Sequence, residues 1–262
     1  MRHRVFLGVA IIALGILFLL SSLLELNVWR FFWPFILITA GIWFLLAPAF
    51  SRSEEAEVEK YSLPLEEAEE ANVRVEHGVG VIKISALKDK ENLLSGEFVG
   101  GVNPRVTRTK NGVRVTLSSK ADFFHMLPHF PTGKGLGWDL QINKDIPLKL
   151  KLETGASDNQ LDLTDLQVRE LKLETGASTT NISLPKNAGT TKVKVSSGAA
   201  SLEIHVPKTT AARIRVEGLV TKDIDQERFP LKGKYYQSED YESAKNKAEI
   251  RVESGLSTVE IK

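Results

Sequence analysis

The chain has 262 residues, with 34 Lys and Arg against 33 Asp and Glu and a net charge of +1. That balance offers no basic surface of the kind a nucleic-acid binder needs. The absence of cysteine excludes disulfides, zinc–thiolate sites, iron–sulfur clusters and cysteine nucleophiles. The averages conceal a split. Residues 1–50 hold half of the Phe, Trp and Tyr side chains, but their charges are only Arg2, Arg4, Arg30 and Glu25. Everything after Phe50 is polar and charged.

Residues 5–24 and 31–50 each carry no charged side chain. At about 1.5 Å per helical residue, roughly 20 apolar residues cross the ~30 Å hydrocarbon layer. The pattern predicts two transmembrane helices joined by a tight hairpin at residues 25–30. Trp29, Trp33 and Trp43 fit interfacial anchoring, and Pro34 sits in the first turn of the second span, where proline costs least. A signal peptide fits poorly, because no small-x-small cleavage site follows the first span and a second span does. Arg2, Arg4, Arg52 and Lys60 flank the spans on one side and Arg30 alone lies in the loop. The positive-inside rule therefore predicts a multi-pass membrane protein with its N-terminus and its C-terminal domain both in the cytoplasm.

Residues 51–71 contain eight glutamates, among them Glu54, Glu55, Glu66 and Glu67. They read as an acidic, solvated linker leading into a first strand. From residue 72 onward the chain repeats itself. Leu150-Lys-Leu-Glu-Thr-Gly-Ala-Ser157 recurs as Leu171-Lys-Leu-Glu-Thr-Gly-Ala-Ser178, and Val193-Lys-Val-Ser-Ser-Gly-Ala-Ala200 follows. Looser copies begin at Val73, Ile214 and Ile250. Two-residue alternation marks strands with one buried face. A period near 21 residues, with two short strands per unit, predicts an all-β repetitive domain over 72–262, a β-solenoid whose coils must stack to bury their apolar rows. Gly78, Gly155, Gly176, Gly198 and Gly255 recur at the junction between the two runs. A bend needing either positive φ or close backbone approach explains glycine there.

Two stretches interrupt the repeat, at about 121–137 and 221–248; inserts of this kind often carry binding. Residues 105–117 read as a hairpin, with Asn111-Gly112 predicting a type I′ turn. Trp138 reads as a cap on the core.

The chemistry-bearing residues form no catalytic constellation. His125 and His129 are four apart but separated by Pro128, and no carboxylate lies near them after Asp122. Gly133-Lys-Gly-Leu-Gly137 lacks the spacing and the following helix of a phosphate loop. There is no Gly-x-Ser-x-Gly elbow. Glu76, Glu153, Glu174 and Glu253 form a column that could present carboxylates to calcium or act as an acid pair. Neighbours such as Lys151, Lys172 and Arg251 favour a solvated, ion-paired face instead. The expectation is a non-enzyme with no cofactor, metal, nucleic acid or small-molecule substrate.

Trp33-Pro-Phe-Ile-Leu-Ile-Thr-Ala-Gly41, with Trp33, Pro34 and Gly41 as its signature positions, resembles LiaF/LiaI-like transmembrane regions. The body resembles LiaF C-terminal and toast-rack β domains. The matching residues are Trp138-Asp-Leu, Ile146-Pro147, the two Gly-Ala-Ser turns, Leu161-Asp-Leu-Thr164, Ile182-Ser-Leu-Pro185, Ile204-His-Val-Pro207 and the closing run 255–261. The resemblance implies a membrane-anchored accessory protein of bacterial cell-envelope stress signalling that contacts the lipid bilayer and restrains a sensor histidine kinase. The alternative is a structural envelope protein whose β domain self-associates or binds an envelope polymer. LiaF-like proteins often carry more spans than two.

Overall fold

The computed structural model describes residues 58–120 and 137–262, together with Pro34, Leu37 and Ile38. The two expected spans, 5–24 and 31–50, lie outside the described residues apart from those three positions. Among the described residues no helix is long and apolar enough to cross a membrane. The chain divides into two compact units, and the described strands all belong to the second, Ser53–Leu127 with Pro131–Lys262.

That unit is all-β. Its strands are β1 (Val58–Pro64), β2 (Glu70–Leu87), β3 (Asn92–Val99), β4 (Val102–Arg108), β5 (Gly112–Ser119), β6 (Gly137–Asn143), β7 (Pro147–Asp162), β8 (Gln167–Ser183), β9 (Thr190–His205), β10 (Ala211–Ile224), β11 (Leu231–Lys232), β12 (Tyr235–Gln237) and β13 (Lys247–Ile261). The six long strands lie parallel in the order β2-β7-β8-β9-β13-β10.

Each long strand must double back on itself. A straight 16-residue strand such as β7 would separate its ends by about 50 Å. Yet β8 pairs with β7 in parallel, and the connection, residues 163–166, reaches at most roughly 17 Å. The fold-back falls at the glycine. Before it, Leu148, Leu150, Leu152 and Thr154 point inward; after it, Asn159, Leu161 and Leu163 do. The inward set changes from even to odd numbers across Gly155, as a reversal of the strand face requires. Two limbs per coil therefore face each other, and their apolar side chains merge into one core. The repeat unit is thus one long bent strand rather than two short ones.

The octapeptide identity follows from this stacking. Leu150 pairs with Leu171, Leu152 with Leu173 and Thr154 with Thr175, so one environment recurs from rung to rung and selects the same residue.

Four further features differ from the sequence expectation. A strand, β1, occupies part of the stretch expected as acidic linker, because Tyr61 and Leu63 turn inward to pair along β3. The long strands do not stack in chain order: β13 lies between β9 and β10, although the Ile214 and Ile250 copies look equivalent. The second irregular stretch is shorter than expected, since Thr221 to Ile224 complete β10 and Lys247 begins β13. The 105–117 hairpin forms, as β4 and β5, but neither Asn111 nor Gly112 has positive φ, so the turn is not type I′. Glu69 holds Asn111 from outside: its N–H donates to the Asn111 carbonyl (3.1 Å) and its carboxylate accepts from Asn111 Nδ2 (3.0 Å).

The β2 end of the stack is covered by two partial rungs. β5 pairs with the first limb of β2, from Glu70 to Glu76, and β6 with the second, from Val81 to Leu87. Antiparallel β4 then extends the first sheet, and β3 and β1 extend the second. The chain between β5 and β6 contains residues 121–136, which lie outside the described residues.

Candidate functional site

The five expected glycines come together in one column along the bends. None has positive φ; close approach is what demands glycine here. A Cβ on Gly155 would lie 2.6 Å from the Gly78 carbonyl oxygen, one on Gly176 2.7 Å from that of Gly155, one on Gly198 2.8 Å from that of Gly176, and one on Gly255 2.5 Å from that of Gly198. Gly78, at the end of the column, would meet nothing within 4 Å. Of the expected span signature, Trp33 and Gly41 lie outside the described residues, and Pro34 is helical and exposed.

An open groove of about 1070 Å³ runs along the bends, lined by Glu76, Glu153, Glu174, Ser196, Glu253 and Glu217 among others. These six occupy one register level on six adjacent strands, about 4.8 Å apart. Two residues earlier, on the same face, stands a wholly basic level: Arg74, Lys151, Lys172, Lys194, Arg251 and Arg215. Every carboxylate of the acidic row is paired. Arg74 reaches Glu76 (2.9 Å) and Glu153 (2.6 Å), and Lys151 reaches Glu153 (2.5 Å) and Glu174 (3.2 Å). Glu253 takes Arg251 (2.7 Å) and Lys194 (3.5 Å); Glu217 takes Arg215 and, at 3.3 Å, Arg251.

Hydrogen bonds from Lys151 and then Arg74 hold the Glu153 carboxyl below its ordinary pKa against a smaller opposing push from burial. A hydrogen bond from Arg215 does the same for Glu217. The pairing raises the pKa of Lys151, chiefly through Glu153. A carboxylate held ionised by two cations is a poor general acid. Among the described residues no group of three or more His, Asp or Glu side chains is arranged to hold a metal.

Beneath the bends, inside the core, lies a second polar feature. Thr154, Thr175, Ser197 and Ser254 occupy the level before the glycine. Ser157 Oγ donates to Thr154 Oγ1 (2.8 Å), Thr175 and Ser178 share a bond of 3.0 Å, and Ser197 and Ser254 share one of 2.7 Å. Asn159 Nδ2 bridges Ser157 and Thr180. These hydroxyls satisfy one another where the limbs part and apolar side chains would leave a gap. At the β2 end the same level is His77, 3% exposed, its ring 4.6 Å from that of Trp138. Trp138 stands edge-on to Phe98 at 5.0 Å and closes the core, as expected. His125 and His129 lie outside the described residues.

The sequence reading missed Glu217, which completes the acidic row although its copy begins Ile214-Arg-Val-Glu. It also missed the level just after the glycines: Val79, Ala156, Ala177, Ala199, Leu256 and Leu219. The repeated small residue after Gly was the available signal, but the two leucines are not small.

A family model described as the N-terminal domain of toast_rack, DUF2154, matches residues 51–205. The chain belongs to the toast-rack family. The matched segment ends at the last residue of β9, and in this toast-rack chain the stack continues through β13 and β10. Among curated proteins none matches. A solved structure of a proposed cell adhesion protein from Clostridium sporogenes is similar in fold, with TM-score 0.70 and 20% identity over 78% of this chain and 98% of that one.

Proposed function

We infer that the chain is a non-enzymatic, membrane-anchored accessory protein of the bacterial envelope stress response, acting on a sensor histidine kinase through protein contacts. Family membership supports the envelope setting. The observation that carries the reading is the pair of ordered charge rows. Five carboxylates, each neutralised, stand beside six cations on one rigid sheet face. Such a face presents fixed, complementary stripes to a protein partner, which favours orientation and specificity over chemistry. The anchor at residues 5–50 holds this face near membrane partners and raises its effective concentration there.

Deleting the gene is expected to raise basal output of a kinase-dependent envelope-stress reporter, and Lys151→Glu with Lys172→Glu in the basic row to weaken restoration by the full chain. Reporter output unchanged by the deletion, with and without a cell-wall antibiotic, overturns the reading. Protease added to intact spheroplasts tests the cytoplasmic placement; digestion of the β unit without lysis reverses it. The scaffold reading draws on the fold likeness to the clostridial protein. Growth by strand-to-strand addition of copies is opposed by Lys222, which stands at an inward-facing level of the edge strand β10, a device that blocks edge pairing.

A further inference from the structure

We propose that the bend edge of the stack lies against a lipid bilayer, with the row that follows the glycines as its contact surface. The inference rests on the membrane-anchored reading above and adds which edge of the β unit meets the lipid.

The first observation is the row itself. At the level of Val79, Ala156, Ala177, Ala199, Leu256 and Leu219, all six rungs carry an aliphatic side chain. Leu256 is 71% exposed and Leu219 77%, and the three alanines are exposed as well. Five strand spacings make the row about 24 Å long. Elsewhere on the outer face of the first limbs the rows alternate charge with charge, so an unbroken aliphatic row in water stands out.

The second observation is the contrast with the opposite edge, where the chain returns between rungs. There the exposed side chains include Asp89, Lys144, Asp145, Asp165, Lys186 and Lys208. Bringing that edge to a bilayer would strip water from exposed charges, of which only Lys186 and Asp165 pair with each other (2.6 Å), and that is unfavourable. Bringing the bend edge there removes apolar surface from water, which is favourable. The acidic row beside the bends does not oppose an anionic surface, because its carboxylates are matched by the adjacent cations.

The third observation is where the chain enters the unit. Val58 pairs with Val99, and the neighbouring Phe98 pairs with Trp138, itself opposite Ile82 just beyond the bend of β2. The chain therefore reaches β1 at the bend edge. Only residues 51–57, at most roughly 25 Å when extended, separate Val58 from the uncharged stretch 31–50. The chain that follows the uncharged stretch thus enters the β unit on its bend side and not among the return turns.

The chain has no cysteine, so single-cysteine variants carry one spin label each. Leu256→Cys and Ala177→Cys report the bend edge; Asp165→Cys and Lys208→Cys report the return turns. The full chain is reconstituted in protein-free vesicles of phosphatidylcholine and phosphatidylglycerol, so only lipid can cover a label. Collision with oxygen, which concentrates in lipid, is compared with collision with a water-soluble nickel complex. The expected result is an oxygen-to-nickel ratio several-fold higher at Leu256→Cys and Ala177→Cys than at the two turn positions. The double substitution Leu219→Asp and Leu256→Asp is expected to lower the ratio at the Ala177→Cys label to that of the turns without changing the melting temperature. Equal ratios at both edges, in a chain that stays with the vesicles through alkaline carbonate, overturn the proposal and leave the anchor standing. Release of the chain by carbonate overturns both.

Discussion

Where the stack begins, at β2, two strands lie against it, one on each limb, and each is backed by an antiparallel neighbour. Trp138 and Phe98 fill the space beneath, both essentially unexposed. Where it ends, at β10, only Arg213 and Ile214 find a partner strand, in β12, and the second limb has none beyond β13 among the described residues. There the bend loses a residue: Gly218 faces Ser254 and Leu219 faces Leu256, leaving Gly255 without an opposite number. Gly218 adopts φ 116°, and a Cβ would lie 1.7 Å from the Ser254 carbonyl oxygen. One end is closed by burial and the other by making addition of a further strand unfavourable. A solenoid needs to solve the same edge problem twice, and this chain uses two different solutions.

The largest effect should come from emptying the closed end. Trp138→Ala is expected to cost about 3–5 kcal/mol, read as the shift in denaturant midpoint of the β transition, while Leu219→Ala at the other end changes stability by no more than about 0.5 kcal/mol. Comparable losses at the two ends would remove the distinction. Next comes the glycine column. Gly176→Ala sets a methyl group against a backbone oxygen and should cost about 1–3 kcal/mol. Gly78→Ala, with open space and no positive φ, should be neutral or stabilise by about 0.4–1 kcal/mol. Melting curves of the two variants that coincide would show that position in the column does not matter.

The column also marks how much of this fold was legible beforehand. Leu150, Leu171 and their neighbours announced the stack because in-register rungs share one environment. Gly155 and Gly176 were visible as bends, but the choice between positive φ and close approach needed the next rung's carbonyl in place. The swap of β10 and β13 was hidden, since their repeat copies differ by little more than Gly218 standing where β13 has both Ser254 and Gly255. The acidic row could be read from Glu76, Glu153, Glu174 and Glu253. The apolar row beside it could not, because Ala156 and Leu256 share a level but not a residue type.

Smaller effects belong to the charged face. Glu153→Gln should cost about 0.2–1 kcal/mol at neutral pH, the range for an ion pair at the surface, where the Glu153 side chain is half-buried. The folded-state pKa of Glu153 lies below the unfolded reference of 4.5, so the unfolded chain takes up the proton first. The stabilisation is complete above that value and disappears as pH falls through the folded one. Denaturation curves of Glu153→Gln and of the unsubstituted chain should therefore converge in acid; a gap that persists there would assign the loss to packing. Last, Lys222→Val should leave stability within about 0.5 kcal/mol yet change association. Lys222 Nζ donates to the Val216 carbonyl (2.9 Å) from a level its neighbours fill with Val259 and Leu202. Sedimentation of the full chain in detergent should show concentration-dependent dimers only for the variant; dimers in both would mean the lysine does not guard the edge.

The place of β13 sets an order of events on the ribosome. Synthesis runs from the N-terminus at about 5–20 residues per second, so β10 emerges before the rung it belongs against. During that interval β9 exposes an edge of matching pattern, with Val193 and Val195 where β13 would offer Ile250 and Val252. β10 can rest there only provisionally, because the native arrangement requires β13 to come between. Assembly of this domain is therefore not a zipper closing behind the ribosome. Its last rungs are settled only once Lys247–Ile261 is free to enter the gap, and a chain stopped before Lys247 would hold the repeat but not the native order.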